Sequence, residues 1–223
     1  MCTNYRPTAR EKLVQEFEPI RDHGPLPSWP KEVYRDGVAP IIIPDEGGGR
    51  RAVAANYGFY PLRSLEEGQE METLNARGEE IHRKPKYKVE WKKCQLCLIP
   101  SQVVFEPFRE HRVHQRFAIG MADGRDFCVA GLWREWQEKD GSISHAFTQI
   151  TLNADTHPTM KLFHRPYEEK RGVVILPREI YDDWLHCEDP KLAHDMLQLM
   201  PAEKLKYYAA PKELPPSPEM TLF

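Results

Sequence analysis

Short apolar runs separated by turn residues are the main pattern along this chain, and they predict strands rather than long helices. Two Asp-Gly pairs, Asp123-Gly124 and Asp140-Gly141, are typical of hairpin turns between such runs. Glycine and aspartate suit these turns because they tolerate the left-handed backbone conformation. The predicted strands cover residues 38–43, 51–59, 95–105, 116–121, 127–133, 146–152 and 172–176.

Four segments carry helix signals instead. Thr8 with Glu11 has the spacing of a capping box and predicts a short helix from residue 9 to Pro19, while Ser64 with Glu67 repeats the pattern and predicts a helix to residue 74. Pro177 suits the first position of a helix that buries apolar residues 180, 184 and 185. A last helix is predicted from Pro190 to about residue 200.

Strands in hairpin order with helices at the periphery predict an α+β fold in one domain, with either a mostly antiparallel or mixed sheet or a partly closed barrel. The domain is expected to span residues 2–210. The tail at 211–223 is too rich in proline to pack against it, and the whole chain of 223 residues contains 20 prolines. No apolar stretch has the roughly 20 residues that a membrane span needs, and no signal peptide is evident, so we predict a cytoplasmic protein.

Five cysteines, an odd number, predict free thiols rather than a disulfide framework. Cys94 and Cys97 form a CxxC pair, but no second pair lies at zinc-site spacing, and residues three apart on a strand point to opposite faces. Cys128 and Cys187 are predicted to be packing residues. We therefore predict no metal and no cofactor.

A formal net charge of -3 gives no overall attraction to nucleic acid, so DNA binding would depend on a local basic surface. One basic segment could form such a surface, and Tyr87 and Trp91 are interleaved among its cations. The alternative is an ordinary solvated surface. Its cations are Arg77, Arg83, Lys84, Lys86, Lys88, Lys92 and Lys93.

Position 2 carries the most informative side chain. A small second residue permits removal of the initiator methionine, and Cys2 would then be a free amine beside a thiol. Such an amine has an unperturbed pKa of roughly 7.7–8.0, so near neutral pH it can attack an aldehyde, after which the thiol closes a thiazolidine ring. The alternative is that Cys2 is an incidental small residue.

Six short motifs occur together and in order along most of the chain. They are Met-Cys-Thr-Asn-Tyr-Arg at the start, Val-Ala-Pro at 38–40, Tyr-Gly-Phe at 57–59, Leu-Asn-Ala-Arg-Gly-Glu at 74–79, Cys-Leu-Ile-Pro with Phe-Glu within 97–106, and His164 ahead of Val-Val-Ile-Leu-Pro. Together they resemble the SOS-response-associated peptidase family, also called abasic-site processing proteins. The match runs from residue 2 to about residue 177.

The resemblance implies a DNA-damage-response enzyme in which Cys2 is the N-terminal nucleophile and crosslinks abasic sites in single-stranded DNA. It implies that Asn75 holds the amine or the sugar oxygen, that Glu106 relays protons, and that His164 moves a proton at the sugar. Asn75 as a turn residue, Glu106 as a surface carboxylate and a structural His164 are the alternatives. The family usually has a shorter segment between the histidine and the apolar strand, so the loop after His164 is a departure.

The resemblance also assigns DNA contacts. Arg77 matches a phosphate-binding arginine, with Arg83 and Lys86 continuing a cationic track. Tyr57 and Phe59 are candidates for stacking on bases, with packing in the core as the alternative. The expected partner is therefore single-stranded DNA with abasic sites, and the protein is expected to be nucleoid-associated when bound.

The last five residues, 219–223, end in Leu-Phe and resemble the peptide that binds the bacterial sliding clamp, although a glutamate stands in place of the usual glutamine. We predict a monomer that binds the clamp through this peptide. Two other functions remain open from the sequence. One is a cysteine peptidase, whose only substrate would be the bond after Met1. The other is a noncovalent module for single-stranded DNA.

Overall fold

A computed structural model describes residues 3–18, 20–21, 26–110, 113–164 and 167–212. The described part of the chain forms one twelve-stranded sheet. Its strands are β1 Asn4–Pro7, β2 Ile20–Arg21, β3 Val38–Pro44, β4 Arg50–Tyr57, β5 Asn75–Arg77, β6 Leu96–Glu110, β7 Val113–Met121, β8 Phe127–Gln137, β9 Ile143–Asn153, β10 Arg171–Val173, β11 Ile175–Leu176 and β12 Leu205–Ala209. All seven predicted strands are present, although the last is divided into β10 and β11.

Five of these strands close into a barrel. They are joined in the order β8-β9-β4-β3-β6, and β6 also pairs with β8, which completes the ring. Closure leaves no unpaired edge among these strands. The predicted α+β fold with a barrel is therefore confirmed, and the barrel is closed rather than partly closed.

Side chains alternate between the two faces of the barrel wall. Ile41 and Ile43 belong to an inner apolar cluster with Tyr57 and Phe147, whereas Ile42 belongs to an outer cluster that includes residues of the helices. At Gly131 of β8 a β carbon would lie 2.7 Å from the sulfur of Cys97, so glycine is required by the close approach of β6.

The helices are short and cover the outside of the barrel. They are α1 Arg10–Phe17, α2 Lys88–Lys92, α3 Tyr181–Leu185 and α4 Pro190–Asp195. The first predicted helix is confirmed as α1, but its N-cap is Ala9 and no side chain caps it. The helix predicted after Pro177 begins as a 3₁₀ turn at Arg178–Ile180 and continues as α3. Trp184 of α3 donates a hydrogen bond to the Cys97 carbonyl at 3.0 Å, which ties that helix to β6.

The helix predicted from Ser64 to residue 74 is wrong. The chain forms only a 3₁₀ turn at Leu62–Ser64 and then continues without regular structure, with Gly68 at φ 79°. The segment offers too few apolar residues for a buried helical stripe, and tertiary packing of such a stripe is what stabilises short helices.

The sheet continues to the last described strand. Strand β12 pairs antiparallel with β7, so residues up to Ala209 belong to the same sheet as the barrel. The domain boundary at residue 210 stays a prediction, and the sliding-clamp peptide at residues 219–223 lies outside the described residues. None of the helices in the described ranges is long and apolar enough to cross a membrane.

Candidate active site

The second half of β6 leaves the barrel and carries Glu106. There β6 pairs with β7, with Glu106 opposite Phe117, and with β1, where Asn4 lies opposite Phe105. Glu106 is two residues beyond Val104 of the inner cluster, so its side chain shares that apolar face and is 5% exposed. Burial raises the pKa of Glu106 to about 8, because the charged carboxylate is poorly solvated there. Near neutral pH this group is therefore mostly a neutral acid.

His164 is held in an uncommon backbone conformation. Its φ of 72° lies in the left-handed region that most side chains avoid, and such strain persists only where the surroundings enforce it. Its backbone N–H donates to the Pro107 carbonyl at 3.1 Å, and its ring Nε2 lies 2.9 Å from the Arg171 carbonyl. A carbonyl only accepts, so Nε2 carries the hydrogen, and in the neutral ring Nδ1 keeps its lone pair.

That lone pair faces Glu106. His164 Nδ1 lies 3.5 Å from Glu106 Oε2, and the His164 side chain is also buried. Burial lowers the pKa of His164 to about 4, so the imidazole is neutral at physiological pH. The pair thus consists of a neutral acid facing a neutral base, with one transferable proton between them. The separation is long for a hydrogen bond, as is common for catalytic groups before a substrate draws them together.

Asn75 begins β5, which pairs with β9 of the barrel. It is buried and pairs with Gln149 of β9, whose amide oxygen accepts a hydrogen bond from Tyr57 at 3.2 Å. The Tyr57 ring in turn packs edge-on against Tyr5 of β1, with ring centroids 5.4 Å apart. The Gln149–Tyr57 hydrogen bond and this aromatic contact therefore connect β9, the partner of Asn75, to β1.

Arg77, two residues after Asn75, belongs to a network of ion pairs. Its guanidinium lies 2.7 Å from Glu169, and Glu169 also binds Arg171 at 2.9 Å. Arg171 is buried, pairs with both oxygens of Glu79 at 3.0 and 2.8 Å, and donates to the Thr151 carbonyl at 2.7 Å. Because the Arg171 carbonyl binds the His164 ring, this network also fixes the orientation of His164.

Comparisons with known proteins identify the family of this chain. The sequence profile of the SOS response associated peptidase (SRAP) family matches residues 1–215. The chain belongs to the SRAP family. Two proteins of Bacillus subtilis (strain 168), abasic site processing proteins YoqW and YobE, are each 25% identical to this SRAP chain. The matches cover 209 and 218 residues, or 89% and 93% of this chain and 90% and 95% of the relatives.

Solved structures share the fold of this SRAP chain. A protein from Bordetella bronchiseptica superposes with a TM-score of 0.85 at 27% identity, over 95% of this chain and 100% of that chain. A protein from Bacteroides thetaiotaomicron superposes with a TM-score of 0.77 over 93% of this chain and 91% of that chain. The second, at 23% identity, supports the fold alone.

The structure brings some of the predicted residues of this SRAP chain together. Glu106 and His164 are in contact, while Asn75 and Arg77 are joined to them through β5 and the ion-pair network. Cys2 lies outside the described residues. No role was predicted from the sequence for Glu79, Glu169, Arg171 or Gln149, although Glu79 ends the motif at 74–79. The long loop after His164, already a departure from the family pattern, was the available signal for Glu169 and Arg171.

The residues predicted to contact DNA are either buried or engaged in other contacts. Tyr57 and Phe59 are 0% exposed, so both rings are core residues and the stacking prediction is not supported in this SRAP chain. Arg83 is exposed but pairs with Glu80 at 2.6 Å, and Lys86 donates to the backbone carbonyl of Glu72. Neither contact tests a role in DNA binding, so that role of Arg83 and Lys86 stays a prediction.

The remaining thiols of the SRAP chain are buried or half-buried. Cys94, Cys97 and Cys128 are buried, and Cys187 is partly exposed. Cys94 belongs to the outer apolar cluster and Cys97 to the inner one, but Cys94 lies in the turn before β6, with φ 49°, rather than on the strand. Among the described side chains, no group of three histidine, cysteine or acidic residues is arranged to hold a metal ion.

Replacing Glu106 with glutamine is expected to change how stability depends on pH. The folded pKa of Glu106 is about 8, whereas an unfolded chain has a value near roughly 4.3. Between these values the native protein holds a proton that the unfolded chain releases, so this group lowers the free energy of unfolding as pH rises. Urea unfolding at pH 5, 6.5 and 8 should show Glu106→Gln gaining stability over the parent by on the order of 1 kcal/mol per pH unit. Equal pH slopes in the two proteins would mean that Glu106 is ionised in the fold.

Proposed function

We propose that this protein processes abasic sites in single-stranded DNA by joining the amine and thiol of Cys2 to the open aldehyde of the damaged sugar. Membership of the SRAP family and the names of the Bacillus relatives support the substrate class. The observation that carries the mechanism is the neutral Glu106–His164 pair beside the start of β1.

Covalent connectivity ties Cys2 to this end of the sheet. Asn4 pairs with Phe105, the residue before Glu106, and only Thr3 separates Asn4 from Cys2. A chain spans at most about 3.6 Å per residue, so the α carbon of Cys2 can be no more than about 7 Å from that of Asn4. This short separation in sequence from Asn4 supports the proposal that Cys2 acts at the buried acid and base.

The chemistry needs no cofactor and balances in two bond-forming steps. After removal of Met1, the Cys2 amine adds to the sugar aldehyde to give a carbinolamine, which loses its hydroxyl as water to form an imine. The Cys2 sulfur then adds to the imine carbon, and the thiol proton passes to the nitrogen. One aldehyde and one aminothiol give one thiazolidine and one water.

Each step moves a proton that Glu106 and His164 are suited to carry. Neutral Glu106 donates to the departing hydroxyl, and its carboxylate then recovers a proton from the attacking amine or thiol. A pKa of about 8 is close to working pH, where an acid both holds its proton and releases it readily. His164, with a lone pair on Nδ1, can accept a proton from the closed sugar while the ring opens to its aldehyde.

Asn75 and Arg77 are assigned to binding. The Asn75 amide holds the amine or a sugar oxygen, and the Arg77 guanidinium, 43% exposed, holds a backbone phosphate. In the structure Arg77 forms an ion pair with Glu169, so a phosphate must displace the Glu169 carboxylate in order to bind Arg77.

Cysteine peptidase chemistry is less suited to this pair. A peptidase cysteine is activated by a nearby imidazolium that stabilises the thiolate. Burial lowers the pKa of His164 to about 4, so it is not charged near neutral pH and offers little stabilisation of this kind. The neutral form of His164 therefore favours imine chemistry, in which protons pass to and from the attacking amine without a stabilised thiolate.

Crosslinking is expected to require both Cys2 and the lesion. When the protein is incubated with a single-stranded oligonucleotide bearing one abasic site, a denaturing gel should show a slow band that is absent with Cys2→Ala and with an undamaged oligonucleotide. Intact mass should show that Met1 has been removed from the parent. Cys187→Ala, which removes another partly exposed thiol, is the matched control and should leave the band intact.

The opposite result has a clear meaning. If protein without Met1 binds the abasic oligonucleotide but forms no covalent product, crosslinking is wrong and a noncovalent binding module is favoured. Cleavage of peptides that depends on Cys2 would favour the peptidase instead.

Glu106→Gln is expected to slow crosslinking by about 10²- to 10⁴-fold, because the amide keeps the shape of the side chain but transfers no proton. The crosslinking rate of the parent should also fall above about pH 8, where Glu106 loses its proton, and the variant should lack this decline. Glu90→Gln, at another buried glutamate on α2, is the matched control. Equal rates for the parent and Glu106→Gln at every pH would remove Glu106 from the mechanism.

Removing the charge at Glu169 is expected to strengthen DNA binding. Glu169→Gln frees the Arg77 guanidinium, so the Kd for a single-stranded oligonucleotide should fall by about 3- to 10-fold and depend more steeply on salt. Fluorescence anisotropy at several salt concentrations measures both quantities. Glu168→Gln makes the same change of net charge one residue away and is the control.

A double variant tests whether Arg77 mediates that effect. In an Arg77→Gln background, Glu169→Gln should no longer alter the Kd, because the cation that it masks is gone. A gain that persists without Arg77, or an equal gain in Glu168→Gln, would show that only general charge repulsion is involved.

A further inference from the structure

Four aromatic rings pack together next to the Glu106–His164 pair. Phe163 directly precedes His164, and Phe117 lies opposite Glu106 in the sheet. Phe108 contacts both rings, with centroids 6.3 Å from Phe163 and 5.2 Å from Phe117. Tyr207 of β12 completes the group, 5.7 Å from Phe163 and 6.0 Å from Phe117.

The register of the sheet fixes the face on which Tyr207 lies. Tyr207 pairs with Ile119, which is two residues from Phe117 and so shares its face, and Phe117 shares the face of Glu106. The next residue, Tyr208, pairs with Ala118 and lies on the opposite face with Phe105. Neighbouring tyrosines on one strand therefore point to the two sides of the sheet.

Tyr207 is the member of the group that solvent reaches most. Phe163 is 1% exposed and Phe108 and Phe117 are partly buried, whereas Tyr207 is 45% exposed. Its contacts with Phe163 and Phe117 hold the ring in place while part of its surface faces outward. A ring held in this way loses little conformational freedom when another flat group stacks on it.

The position of Tyr207 also suits a strand that is bound at Glu106. Tyr207 lies two strands and two residues from Glu106, which corresponds to about 12 Å between α carbons, taking spacings of about 4.8 Å between strands and 3.4 Å along them. An abasic nucleotide has no base, so the base beside it loses a stacking partner. Bases of single strands commonly stack on exposed aromatic side chains.

We propose that Tyr207 is a stacking platform for the nucleobase that flanks the abasic site. This inference rests on the proposed function, because it takes the abasic sugar to be bound at Glu106 and His164. It supplies the aromatic contact that the buried Tyr57 and Phe59 cannot make.

The test measures binding separately from crosslinking. A single-stranded oligonucleotide carries a tetrahydrofuran abasic analogue, which has no aldehyde, and its Kd is measured by fluorescence anisotropy. Tyr207→Ala should weaken binding by about 5- to 100-fold, and Tyr207→Phe should bind like the parent because its ring still stacks. Tyr208→Ala is the matched control, since Tyr208 is 46% exposed on the other face, and its Kd should stay near that of the parent.

Two further comparisons separate stacking from packing. Tyr207→Leu keeps an apolar side chain over Phe163 but has no ring, so it should weaken binding as Tyr207→Ala does. Replacing the bases on both sides of the lesion with further tetrahydrofuran units should weaken binding by the parent and leave Tyr207→Ala unchanged. With an aldehyde-bearing oligonucleotide, the defect should appear in the DNA concentration that gives half-maximal crosslinking.

The outcomes distinguish this inference from the proposed function. If the parent crosslinks abasic DNA but Tyr207→Ala and Tyr208→Ala bind equally well, the stacking platform is wrong and the proposed function stands. A Tyr207→Ala defect that does not depend on the flanking bases also overturns the platform. If the parent forms no crosslink, the proposed function fails independently of these binding measurements.

Discussion

Strand β6 pairs with β8 and β3 along its first half and with β1 and β7 along its second half. The first half closes the barrel, and the second extends beyond it as part of an open sheet. Because β6 belongs to both the barrel and the open sheet, Glu106 lies at a fixed distance along the strand from the packed interior. The same pairing holds β1 beside that carboxyl group. Without the change of partners along β6, the barrel would still have a core but no acid next to β1.

Burial accounts for the chemistry of the site. Glu106 and His164 both occupy apolar surroundings, and desolvation shifts their pKa values in opposite directions, each toward the neutral form. The Arg171 carbonyl then selects the tautomer of the ring. A neutral acid facing a neutral base can pass a proton in either direction without creating a lasting charge. Reversible addition of an amine to an aldehyde needs such proton transfers at each stage.

The loop after His164 supplies Glu169, a carboxylate that pairs with two arginines near the site. Glu169 lies between Arg77 and Arg171 and binds both, so one carboxylate neutralises the candidate phosphate anchor and also stabilises the residue that holds His164. Arg171 keeps two further contacts with Glu79, so its position does not depend on Glu169 alone. The bound state of Arg77 can therefore change from carboxylate to phosphate while the ring of His164 stays fixed.

The sequence by itself determined the longer strands, the family and the identity of the residues proposed for chemistry. Alternation and turn residues are local properties, so all seven predicted strands are present among the twelve of the sheet, and a cysteine directly after Met1 predicts an N-terminal aminothiol. Helix signals were less reliable, because the capping pattern at Ser64 was not supported by an apolar stripe that could be buried. Only the tertiary structure decided which aromatic rings are exposed. Tyr57 is buried in the inner cluster of the barrel and Phe59 in the outer cluster against Tyr87, whereas Tyr207 lies on a strand that the sequence did not predict. Closure and register join residues far apart in the chain, so burial, the pKa values and the partners of Arg77 depend on contacts that no local pattern contains.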